Sequence, residues 1–118
     1  MMLELNNSLL MPLTMCAARV EIDQNHPGWE LALAPSDEVT ETRIFTTHVF
    51  FNTPFANIPI VHLGLCGFDI DNRDSARLSV RADGVTPTGF DLHIFTWLNS
   101  RVYKAEISWI AMGHQATQ

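Results

Sequence analysis

GFDLHIFTWL, residues 89–98, is the stretch whose reading decides the fold. Phe90, Leu92 and Ile94 fall in one phase of a two-residue period, and Asp91, His93, Phe95 and Trp97 fall in the other, which is the pattern of a strand with one face on a core. The outward phase is unusual because it carries two large aromatics. A monomer seldom leaves contiguous apolar area uncovered, so this face reads as a contact surface. Upstream, across TPTG (86–89), ARLSVRADGVT (76–86) alternates just as cleanly. Leu78, Val80 and Ala82 share one side, while Arg77, Ser79, Arg81 and Asp83 share the other, so Arg77 points away from the core. Downstream, past LNS (98–100), RVYKAEISWIAMG (101–113) sets Tyr103, Ala105, Ile107, Trp109 and Ala111 against Lys104, Glu106 and Ser108. Trp109, mid-strand among apolar residues of its own parity, reads as core. Trp97 ends its strand beside the LNSR turn, where an aromatic can reach a groove shared with another loop.

Three more β-rich runs lie further upstream: RVEID (19–23), TRIFTTHVFFN (42–52) and IPIVHLGLCGFDI (58–70). Separators such as TPFANIP and DNRD supply the Pro, Asn and Asp of reversals. That makes six strands, and the short links favour antiparallel neighbours. No segment shows apolar residues at helical spacing long enough for a βαβ crossover. The expected architecture is therefore all-β, a sandwich or flattened barrel. Gln24 to Glu41 has no sustained period and holds Pro27, Gly28, Pro35 and the acidic run SDEVTE. It reads as a long loop and the first place to look for function. Residues 1–18 read as an N-terminal tail, 19–113 as the domain and 114–118 as a C-terminal tail. The leading segment carries Glu4 and no Lys or Arg where a secretory signal needs positive charge, so it shows no clear signal peptide.

With 118 residues, 47% of them apolar, the chain can fill one core. A net charge of −6 with seven scattered Lys and Arg offers no basic stripe, which argues against nucleic acid as a partner. No apolar run approaches the roughly 20 residues of a membrane helix, so membrane insertion is not expected. Cys16 and Cys66 form no CxxC motif, a disulfide between them is not indicated, and Cys66 is expected to behave as a small buried hydrophobe. The five histidines lack paired metal-ligand spacing, and His62 reads as a hydrogen-bonded wall residue. FDIDNRD resembles part of a calcium loop but lacks its glycine and closing glutamate, and a polar hairpin turn explains it equally well. No nucleophile elbow, Walker or dinucleotide string occurs. The reading is a binding protein, not an enzyme, with no cofactor and no metal.

From about Arg19 to Gly113 the chain resembles the H-type lectin domain, the family of the snail agglutinins and of the C-terminal domain of the slime-mould discoidins. The strings that carry the resemblance are PGW (27–29), FFNTPF (50–55), VTPTGF (85–90), TWLNSRVY (96–103) and ISWIA (107–111), in the family's order. The resemblance implies a six-stranded antiparallel β-sandwich assembled as a homotrimer or hexamer. It further implies galactose-type sugars, N-acetylgalactosamine above all, bound in grooves between subunits. The family's sugar-contacting arginine, tryptophan and tyrosine fall on Arg77, Trp97 and Tyr103. Leu98 stands where the snail protein has a histidine. Thr40 aligns with the family's acidic contact, and Asp37, Glu38 or Glu41 could substitute for it. The family's cysteine positions hold Gln24, Ile94 and Ala56, so its disulfides are absent and a reducing compartment is tolerable. Action outside the cell or at its surface would follow from lectin function.

A sugar offers C–H bonds on one face and hydroxyls around its rim, so a site needs a flat apolar platform and a few fixed polar groups. Trp97 supplies the first. Arg77 supplies a rigid fork of donors, and a loop carboxylate can accept hydroxyl hydrogens. Symmetric assembly multiplies shallow sites, with Phe95 and His93 expected near a threefold interface. The rival reading is an oligomerisation or adhesion module whose sugar specificity is lost or altered.

Overall fold

A computed structural model describes residues 12–33 and 42–116. Its six strands are β1 (Leu13–Asp23), β2 (Thr42–Phe50), β3 (Ile60–Ile70), β4 (Ser79–Thr86), β5 (Gly89–Trp97) and β6 (Val102–His114). They form two three-stranded sheets, β1-β6-β3 and β2-β5-β4, and every pairing within them is antiparallel. The all-β sandwich expected from the alternation is what forms. Four of the five connections change sheet, and β4–β5 alone is a hairpin of sequence neighbours. Short links were expected to join adjacent strands, yet the LNS link carries the chain from one sheet to the other. Its first residue, Leu98, makes the corner by adopting a left-handed φ of 56°.

The core lies between the two sheets. Phe90, Leu92 and Ile94 of β5 are fully buried and face Ala105, Ile107, Trp109 and Ala111 of β6. Phe51, Phe90 and Trp109 lie within 6.0 Å of one another, centroid to centroid. Burying rings of this size contributes on the order of 2–3 kcal/mol each, the main drive holding the two sheets face to face. Trp29, from the loop after β1, closes one end of the core and donates its indole N–H to the Val102 carbonyl, 2.8 Å away.

Two expectations change. β1 begins at Leu13, inside the segment read as a tail, because its first half pairs with the second half of the long β6, from Leu13↔His114 to Ala18↔Trp109. Alternation missed it because the outward positions there are Leu13, Met15 and Ala17, which carry no polar signal. Cys66 is exposed rather than buried. A bulge between Leu65 and Gly67 inserts an extra residue opposite Ile107 and Glu106 of β6, and Cys66 occupies it.

Candidate functional site

The strand directions bring three sheet-changing segments to one end of the sandwich. These are residues 24–33 of the β1–β2 connection, residues 71–78 and residues 98–101, while residues 51–59 and the β4–β5 hairpin occupy the other end. Trp97 closes β5 at the first of these ends, paired with Thr42. Ser79 pairs with Phe95, and continuing that antiparallel register by two residues sets Arg77 opposite Trp97. Thr96 ties the register there, donating its hydroxyl to the Arg77 carbonyl at 2.6 Å. Extended in this way, the register puts Arg77, just before β4, and Trp97 in the outward phase of the β2-β5-β4 sheet. Both are half-buried.

Arg77 is held from two sides. Its guanidinium donates to Ser100 Oγ at 3.2 Å and lies 3.9 Å from the Asp74 carboxylate. Ser100 is 1% exposed, and its hydroxyl donates in turn to the Ser75 carbonyl at 2.5 Å. A buried hydroxyl with both roles filled fixes the direction of the arginine fork. Tyr103 stands on the other sheet. Its hydroxyl donates to Asp71 Oδ2 at 2.7 Å, and Asp71 also accepts a two-pronged contact from Arg73. Arg73, first, and then the Tyr103 hydroxyl hold the Asp71 carboxyl well below the usual carboxylate range. Asp71 belongs to the same connection as Arg77, so one loop links the tyrosine to the arginine.

Leu98 follows Trp97 as the left-handed corner residue. Thr40, Glu41, Glu38 and Asp37, the acidic-loop candidates, lie outside the described residues. Arg43 had no role in the sequence reading. It shares the core-facing phase of β2 with Phe45, Thr47 and Val49, yet its guanidinium donates to the carbonyls of Leu98 and Ser100, each at 2.8 Å, and of Leu33 at 3.2 Å. Alternation gave no signal for it, because β2 also turns Thr47 inward and Ile44 and Phe50 outward.

The rest of the outer face pairs its histidines and aspartates across strands. His93 Nε2 lies 3.4 Å from Asp83, and its Nδ1 lies 2.8 Å from Thr46 Oγ1. Asp91 accepts from His48 Nδ1 at 2.8 Å. The Arg81 guanidinium sits 5.3 Å from the centre of the Phe95 ring. Ile44 and Phe50 on the same face are 45% and 73% exposed. His62 is exposed on the opposite sheet, beside Ile110. At the far end of the molecule an open groove of about 860 Å³ is lined by Leu13, Met15, Ile58, Ile60 and Met112. Its walls are mainly aliphatic and lack the charged fork and aromatic platform of the Trp97 end.

Comparison with known proteins bears on this geometry. The sequence profile of the H-type lectin domain matches residues 46–112, more than half of the chain. The structure superposes on discoidin II of Dictyostelium discoideum with a TM-score of 0.70, at 27% identity, over 87% of this chain and 38% of that one. A second structure, of the wild-type discoidin II, gives the same TM-score at 26% identity. A curated relative from Fuscovulum blasticum, described as ATP synthase subunits region ORF 7, is 32% identical over 71 residues. The match spans 60% of this chain and 62% of that protein, so this chain accounts for only part of the length of each relative. By its profile match, this chain belongs to the H-type lectin domain family.

Proposed function

We propose that the chain is a carbohydrate-binding lectin that takes galactose-type sugars, N-acetylgalactosamine foremost, in grooves between the subunits of a homotrimer. The observation that carries the reading is the Arg77 guanidinium, just before β4, held by Ser100 in the turn that directly follows Trp97. A tryptophan face receives the C–H side of a sugar ring, and a fixed guanidinium donates to its hydroxyls. Tyr103 borders the site through Asp71, and Leu98 lines the turn. In this reading Thr40 stands where the family has its acidic contact, and a carboxylate of Asp37, Glu38 or Glu41 of a neighbouring subunit accepts the hydroxyl hydrogen in its place. The outer face with Phe95, Ile44 and Phe50 suits the threefold contact, since it combines exposed apolar area with internally paired histidines and aspartates. Binding alone is the activity, with no reaction assigned.

The test is a glycan array probed with the full chain and with Trp97→Ala, each sized in solution. The reading expects terminal N-acetylgalactosamine or galactose to be bound by a trimer and lost in the variant with the trimer intact. A second reading, an oligomerisation or adhesion module, is favoured by Leu98, which offers no side-chain hydrogen bond, and by the commitment of the Tyr103 hydroxyl to Asp71. A trimer silent across all glycans would select it.

A further inference from the structure

The corner that follows Trp97 is strained, and something must hold it. Leu98 sits at φ 56°, a region that costs a non-glycine residue free energy, and the next hydrogen bond of the turn, Ser100 N–H to the Trp97 carbonyl, is long at 3.4 Å. The turn's own backbone therefore fixes it weakly. The carbonyls of Leu98 and Ser100 both accept from one nitrogen of Arg43, at 2.8 Å each. The other terminal nitrogen reaches the Leu33 carbonyl, at the last described residue before the acidic run. A planar guanidinium serves three carbonyls in fixed directions, which an ammonium does not. From the same turn Ser100 reaches Arg77 and Ser75.

We infer that Arg43 is a positioning residue: its guanidinium locks the turn 98–100, and through that turn it sets the placement of Trp97 and the orientation of Arg77. It also ties that turn to the loop that leads into Asp37–Glu41. The inference rests on the reading of this end as the sugar site, but its first readout does not. Trp29 and Trp109 are 7% and 5% exposed, so acrylamide quenching of the full chain's emission reports mainly on half-buried Trp97.

Two variants isolate the fork. Arg43→Lys keeps the charge, and Arg43→Met keeps the packed stem. The expected result for either folded variant, with its melting temperature held, is increased quenching of Trp97 without sugar. Affinity for N-acetylgalactosamine should fall roughly tenfold, the net worth of about one charge-assisted hydrogen bond. Quenching equal to that of the unaltered protein overturns the inference whatever happens to affinity. Failure of both variants to fold also overturns it, making Arg43 a folding residue. An unaltered protein that binds no galactose-type sugar defeats the lectin reading separately, and the quenching result still decides the role of Arg43.

Discussion

Trp97, Arg77 and Ser100 form the smallest unit in which the account can fail. Ser100→Ala removes the buried hydroxyl that both accepts from Arg77 and donates to the Ser75 carbonyl. The expected outcome is a loss of about 1–2 kcal/mol of stability, measured by urea titration, with weaker sugar binding because the fork is no longer aimed. Asp71 makes a second test at this scale. Its carboxyl is depressed by Arg73 and then Tyr103, so the stabilisation is present above the unfolded value, near 3.9, and is lost as pH falls through the folded value. Asp71→Asn should therefore flatten the pH dependence of unfolding below about pH 4 and leave it unchanged between pH 5 and 8. Arg77 and Trp97 were legible in the sequence because strict alternation assigns an outward face. Ser100 and Arg43 were not, because their partners are backbone carbonyls and side chains distant in the chain, which no spacing encodes.

At the scale of elements, β5 sits at the centre of its sheet and carries both the core and the outer face. The strands were legible wherever apolar and polar residues alternated, as in β4 and β5. The first half of β1 was not, because Leu13, Met15 and Ala17 face outward without polar character. Nor does alternation register a bulge, and Cys66 was misplaced for that reason. The β2–β5 pairing depends on Gly89, where an added Cβ would run into the Val49 carbonyl oxygen and approach His48 Nε2 at 2.8 Å. Gly89→Ala should cost about 1–3 kcal/mol, read as a lowered urea midpoint, because the neighbour is backbone and cannot yield. Trp109→Ala, which empties the contact among Phe51, Phe90 and β6, should cost about 3–5 kcal/mol by the same measurement.

At the scale of the molecule, the sheet order was not readable from link length, since a three-residue link can either reverse a strand or turn a corner. The left-handed Leu98 and the carbonyls that Arg43 holds decide for the corner, and this gathers three segments at the Trp97 end. Assembly is proposed through the outer face of β2-β5-β4, where Phe95→Glu should convert a trimer into monomers in a solution mass measurement, because it sets a charge into an apolar contact. Sugar binding should fall with it, since the proposed groove takes its far wall from a neighbouring subunit. The measurement that bears most directly on the central claim is a crystal of the full chain soaked in N-acetylgalactosamine. The account predicts a sugar ring over Trp97, hydroxyls within hydrogen-bond reach of Arg77, and a second subunit's loop closing the far side; sugar bound elsewhere, or a bare Trp97 at saturating sugar, would contradict it.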